Sequence, residues 1–183
     1  MTDHDVVVRL AEEVHATHWQ MSGNESTGDK LASLITGIWQ KRLQETVPDR
    51  FAVEYRIAPH LKQRIDVVDV VNGIAYELKV SPNNVHMEFY RDIFKVILAR
   101  DNTLPNLKRF VFLTPERSAV RLRRGMGQAV IQDSGQFGLT IEVIGLGPCE
   151  VAPISDRSEL AEIAELEKQL KELQERLKRP VRA

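Results

Sequence analysis

Cysteine is almost absent from the 183-residue chain: Cys149 stands alone, so no internal disulfide framework holds the fold together and a packed core must do so. A lone thiol fits a reducing compartment, and the cytoplasm is the expected location. No stretch of about 18 apolar residues occurs, which argues against a membrane-spanning helix. Arg9, Glu12 and Glu13 interrupt the region where a secretory signal would be apolar. Charge of one sign is lacking too, because 25 Lys and Arg meet 26 Asp and Glu for a formal net charge of −1. Any polyanion partner must therefore be met by a local surface. A phosphate loop is also missing. Gly23, Gly28 and Lys30 come near it, but Asp29 intrudes before the lysine, Leu31 replaces the magnesium-binding hydroxyl, and a helical pattern precedes. What is present is the composition of a globular protein, 43% hydrophobic and 28% charged, at a length that suits one domain.

The rest of the chain is organised around Arg64 to Val80, where two β-branched runs flank Asn72-Gly73. That pattern predicts antiparallel strands joined by a two-residue type I′ turn. In this register Asp66 faces Lys79, Val68 faces Glu77 and Val70 faces Ala75. Side chains alternate along a strand, so Asp66, Glu77 and Lys79 project from one face. Ile65, Val67, Val71, Ile74, Tyr76, Leu78 and Val80 form the other, apolar face, and Asp69 falls on it. A three-residue loop would reverse the choice between Asp66 and Asp69.

Two carboxylates converging beside a lysine repel unless they share a cation. Magnesium, with manganese able to substitute, takes carboxylate oxygens and keeps several waters. A nearby ammonium then orients or deprotonates one of those waters and offsets charge on a phosphate. The plainer alternative is an exposed Asp-Lys cross-strand pair worth at most about 1 kcal/mol. Placement on a hairpin with the right parity, followed by a helix, favours a site.

At these residues the chain resembles the PD-(D/E)xK nuclease superfamily, the restriction-endonuclease-like fold. Asp66 matches the first half-motif, and Glu77 and Lys79 match E-x-K, with Ile65 standing where the motif has proline. As an order of elements the resemblance spans residues 30 to 145. It implies an α/β protein with an αβββαβ core and a mixed central sheet flanked by helices. It also implies metal binding by Glu77 and the Leu78 carbonyl together with Asp66, and DNA as the substrate of a phosphodiester hydrolase. Cutting two strands would favour a homodimer. The alternative function is a non-catalytic nucleic-acid-binding or assembly module on the same fold.

The remaining elements arrange themselves around that hairpin. Residues 1–20 predict an accessory helix, capped by Asp3 or Asp5, with Val7, Leu10 and Val14 inward; His15 and His18, three apart, are a candidate imidazole pair for a metal. A second helix, from about Thr27 to Thr46, carries Leu31, Leu34, Ile35, Ile38, Trp39 and Leu43 inward. Glu45, seven residues beyond Ile38, is the candidate additional acid, with Glu25 second. Phe51 to Ile57 alternates as a half-buried strand. Ser81 or Asn84 caps a helix to Arg100 on which His86, Tyr90 and Arg91 are candidate contacts to nucleic acid. Leu107 to Leu113 reads as a central strand in parallel pairing. In the helical segment after it Arg117, Arg121 and Arg124 recur at i, i+4 and i+7, a candidate phosphate-tracking stripe. A last strand lies in Gly138 to Gly145. The domain is expected over 1–150 and a helical extension over 151–183. Within 159–178 a heptad seam of Ile163, Leu166, Leu170, Leu173 and Leu177 offers a short coiled coil and a route to the homodimer.

Overall fold

Apolar residues spaced three and four apart make the first two elements helices, α1 (Asp3–Ser22) and α2 (Asp29–Thr46), in the computed structural model, which describes residues 2–22, 29–80 and 84–147. The described residues fall within the unit Met1–Cys149. Glu25, the Ser81 cap and the heptad seam over 159–178, with the homodimer read from it, lie outside the described residues.

The start of α1 is a reciprocal cap rather than an Asp cap. The Thr2 N–H donates to Asp5 Oδ2 at 2.7 Å and the Asp5 N–H donates to Thr2 Oγ1 at 3.2 Å, a capping box. These bonds hold the Asp5 carboxyl below the usual carboxylate range. Val6, Val7, Leu10, Ala11 and Val14 of α1 pack with Ile35, Trp39 and Leu43 of α2. The Trp39 Nε1–H donates to the Val7 carbonyl at 3.1 Å, which satisfies the one polar atom of a fully buried indole. Leu34, expected inward, is 53% exposed, because the inward stripe is the narrower i, i+4, i+8 set.

Five strands follow: β1 (Ala52–Arg56), β2 (Arg64–Asp69), β3 (Ile74–Leu78), β4 (Arg109–Pro115) and β5 (Thr140–Leu146). They lie in the sheet in chain order. The first three pair antiparallel, and β3–β4 and β4–β5 pair parallel. Helix α3 (Val85–Asn102) makes the first crossover; α4 (Glu116–Leu122), α5 (Gly125–Asp133) and a 3-10 turn (Ser134–Phe137) make the second. Strand residues alternate between two cores. Val67, Tyr76, Leu78, Val111 and Leu113 face α1 and α2. Val68, Ala75, Phe110, Phe112, Ile141 and Val143 face α3 and α4, where Phe89 of α3 meets Phe112 edge-on at 5.2 Å. The protein is thus α/β, a five-strand mixed sheet flanked by helices.

The central hairpin departs from its predicted register. Val68 pairs with Ala75 rather than Glu77, and Asp69 pairs with Ile74. The turn therefore spans four residues, Val70 to Gly73, and Val71 is 74% exposed instead of facing a core. Asp69 is the cause. Buried near the turn, its carboxylate accepts the Asn72 N–H at 2.9 Å and the Asn72 side-chain amide at 2.8 Å, and Arg50 Nη2 stands 3.4 Å away. Gly73 alone in the turn has positive φ, at 63°, whereas type I′ needs two such residues. A slip of two positions keeps parity at Val67 and Val68, but alternation breaks just beyond them: Ile65, expected on the face of Val67 and Tyr76, packs instead in the other core with Val68, and Asp66 lies at the break.

The segment after β4 also departs. One helix was expected to carry Arg117, Arg121 and Arg124, but the chain breaks between α4 and α5. Arg123 caps α4, and its guanidinium donates to the Val143 carbonyl at 2.9 Å and to Glu116 at 3.1 Å. Arg124 is the N-cap of α5, with Gly125 at φ 55° behind it, so it does not continue the stripe begun by Arg117 and Arg121.

Candidate functional site

Strand β3 delivers Glu77 and, one residue past the strand, Lys79. The Lys79 N–H still donates to the Leu113 carbonyl at 2.8 Å, so parallel pairing with β4 fixes its backbone. Glu77 is fully buried on the α3 side, a position where an unpaired carboxylate would be expelled. Two ammonium groups keep it there: Lys79 Nζ lies 2.7 Å from its Oε2 and Lys95 Nζ lies 2.5 Å from its Oε1. Asp92, also fully buried, stands against the same two lysines, with Oδ2 3.1 Å from Lys79 and Oδ1 2.8 Å from Lys95. Neither Asp92 oxygen receives an aligned hydrogen bond despite these short distances. Lys95 donates in addition to the Arg64 carbonyl on β2 at 2.9 Å.

Asp66 sits outside this four-membered cluster and beside it. The β2–β3 ladder ends at Val67 with Tyr76, and beyond that pair the Leu78 N–H donates to Asp66 Oδ2 at 3.0 Å. A side chain takes over where a ladder partner would stand. On the other side of β2, the β1 register skips the position of Glu54, which has φ 50°, a costly conformation for a residue with a Cβ. The Gln40 amide of α2 donates to both the Asp66 carbonyl at 2.9 Å and Glu54 Oε1 at 3.0 Å, tying the irregular point to the helix.

These surroundings shift both charged groups of β3. Burial, then Asp66 and Asp92, push Glu77 up to about 8, while Lys79 and Lys95 pull the other way. Burial works against the Lys79 ammonium, but Glu77, Asp66 and Asp92 together outweigh it and raise the group above the ordinary lysine value. Lys79 therefore stays protonated at neutral pH.

Glu77 and Lys79 meet directly with the Leu78 backbone between them, and Asp66 stands beside them on the Leu78 N–H; the expected facing of Asp66 and Lys79 is replaced by pairing of Lys79 with Glu77 and Asp92. The other candidates are spread out. Glu45 is exposed on α2 and faces Lys41 at 3.8 Å, not the sheet. It lies two residues past the buried Leu43, about 200° round the helix, so the near-heptad return from the half-buried Ile38 lands it in solvent. His86 and Tyr90 occupy the first turns of α3 with ring centroids 6.3 Å apart, and the Tyr90 hydroxyl is covered and without a hydrogen bond. Arg117, Arg121 and Arg124 are exposed. His15 is buried, and the His18 side chain lies outside the described residues.

Asp92 and Lys95 escaped the sequence reading although a signal was there. Asp92 falls between Phe89 and Val96 at +3 and −4, on the buried stripe of α3, and Lys95 follows it at i+3. A charged residue on a core stripe asks for a partner, and Glu77 and Lys79 were the nearest strand charges.

Among the described residues, no group of three or more His, Cys, Asp or Glu side chains is gathered as they stand to hold a metal ion, and no helix is long and apolar enough to cross a membrane. No family model, no curated protein and no solved structure matches the chain.

Proposed function

We propose that the protein is a magnesium-dependent endonuclease of the PD-(D/E)xK type, with the described α2-β1-β2-β3-α3-β4 order as its restriction-endonuclease-like core and DNA as its substrate. The observation that carries the reading is the fully buried Glu77 beside Lys79, with Asp66 on the adjoining strand and Asp92 opposite. A fold built for stability alone gains nothing from this arrangement, because replacing a buried ion-pair network by packed apolar groups is neutral or stabilising by about 1–4 kcal/mol.

The donor chemistry fits a hard divalent ion. With Glu77 ionised, three carboxylates meet two ammonium groups and leave one negative charge in excess, and the Asp92 oxygens have acceptor capacity that no aligned bond uses. Asp66, Glu77 and the Leu78 carbonyl would hold the ion. When bound, it supplies a water acidified towards neutrality and Lewis-acid stabilisation of charge on the phosphate. The work of the chain's own groups follows from their state. Lys79, kept protonated by its acidic neighbours, donates hydrogen bonds that orient the attacking water and offset charge on a phosphate oxygen; it does not accept the proton. The exposed Arg121 and Arg124 offer phosphate contacts that position a polyanion without reading sequence. Cleavage of both strands calls for two copies, with 159–178 as the pairing segment.

The test is incubation of plasmid DNA with the protein in Mg²⁺, Mn²⁺ or EDTA, comparing wild type with Asp66→Ala and Lys79→Ala. Metal-dependent nicking that both substitutions reduce by about a hundredfold or more is expected, on the scale of losing one charge-stabilising group. Nicking unchanged by either substitution removes this site from the chemistry. Binding without cleavage in every metal favours the non-catalytic module.

A further inference from the structure

Glu77, Lys79, Asp92 and Lys95 close a ring of alternating charge in which each carboxylate gives one oxygen to each ammonium. With Glu77 ionised, as metal binding requires, the ring is neutral and the charge left over in the cluster is that of Asp66. A divalent ion shared by Asp66 and Glu77 needs an oxygen of Glu77 that an ammonium now holds. The two lysines are not equivalent in what they can give up. Lys79 is two residues from Glu77 on a backbone fixed by β4. Lys95 reaches in from α3 and has two further anchors, Asp92 Oδ1 at 2.8 Å and the Arg64 carbonyl at 2.9 Å. Asp92 is also the acid with unused acceptor capacity, since neither of its oxygens takes an aligned hydrogen bond.

We infer that Lys95 is an internal counter-cation of the acid site, which neutralises Glu77 in the metal-free protein and lets go of Glu77 while keeping its contacts to Asp92 and the Arg64 carbonyl when a divalent ion takes its place. Asp92 is the positioning residue that retains it. The inference rests on the reading of Asp66 and Glu77 as metal ligands. Its consequence is competition: the ammonium that makes a buried Glu77 tolerable also weakens the hold on the ion, and Asp92 limits that competition by holding the lysine after it releases Glu77.

The test is a Mn²⁺ titration of the full chain, with free Mn²⁺ read by electron paramagnetic resonance, on wild type, Lys95→Met, Asp92→Asn and Asp66→Asn. Lys95→Met is expected to bind Mn²⁺ about tenfold more tightly and Asp92→Asn about tenfold more weakly, the scale of one charge gained or lost a few ångströms from the ion. A Lys95→Met affinity that is weaker than wild type, or within about twofold of it, overturns the inference. Asp66→Asn reports on the underlying reading instead. If wild type binds no Mn²⁺, or Asp66→Asn binds as wild type does, the metal site itself is wrong whatever Lys95 does. Circular dichroism establishes that each variant folds, and Lys95→Gln takes the place of Lys95→Met if the latter does not. In unmodified protein the Lys95 ¹⁵Nζ resonance should shift on saturation with Mg²⁺; an unmoved resonance in protein that binds the ion overturns the inference independently.

Discussion

Glu77 has no contact with water, and its protonation is set by what surrounds it. Its value near 8 lies far above the ordinary 4.5, so the folded protein holds a proton there more tightly than the unfolded chain does. Stability from that proton is complete below about 4.5 and is lost as pH rises through about 8. Lys79 is also raised, but its contribution is complete below its ordinary value of 10.5 and adds no slope in this window. Metal-free wild type should therefore lose stability relative to Glu77→Gln as pH rises from about 5 towards about 8. Urea unfolding of both proteins across that range measures it. Parallel stability curves would show that Glu77 does not titrate as its burial requires. Parity made Glu77 and Lys79 legible in the sequence, because alternation holds along β3; on β2 it breaks at Asp66, where Ile65 and Val67 fall in opposite cores, and that irregularity was not legible. Asp92 was not legible in that way. Its significance depends on which face of α3 meets β3, and that is a fact of packing.

At the level of elements, the hairpin shows which part of a sequence pattern is robust. Asn72-Gly73 did mark the turn, yet the Asp69 carboxylate recruited Asn72 and widened it to four residues. The even slip kept Val67 and Val68 on their faces, and Asp66 is held beside Glu77 by the Leu78 N–H and the Gln40 amide rather than by the ladder. Gly73 is held twice over: φ is 63°, and a Cβ there would fall 2.1 Å from the Asn106 carbonyl oxygen. Its own carbonyl accepts the Lys108 and Arg109 N–H groups at 2.9 and 3.2 Å, which joins the turn to the start of β4. Gly73→Ala should destabilise the fold by about 2 kcal/mol or more, combining backbone strain with a forced shift of the neighbouring chain. Thermal unfolding of the variant checks this, and a loss under about 0.5 kcal/mol would mean the turn is not built as described. Arg124 illustrates the opposite case, where a regular spacing misled. The i, i+4, i+7 count assumes one uninterrupted helix, and Gly125 and Gly127 allow the chain to turn instead. Gly127 packs so closely on the end of α4 that a Cβ would meet the Leu122 carbonyl oxygen at 2.2 Å.

Across the described residues, two apolar cores clamp a sheet, and the acid-lysine cluster under α3 is a buried charged interruption of it. Alternating and 3.6-residue patterns gave the order of elements, since both cores are made of residues whose periodicity is visible in the chain. The closed ring of charge needed two elements about fifteen residues apart to be brought face to face. The central claim is that Asp66 and Glu77 hold a hard cation beside Lys79. The measurement that addresses it most directly is anomalous diffraction from crystals soaked in Mn²⁺. We expect one strong peak bounded by Asp66, Glu77 and the Leu78 carbonyl, with the Lys79 ammonium adjacent; no peak there at saturating Mn²⁺, or a peak only elsewhere on the chain, would contradict the account.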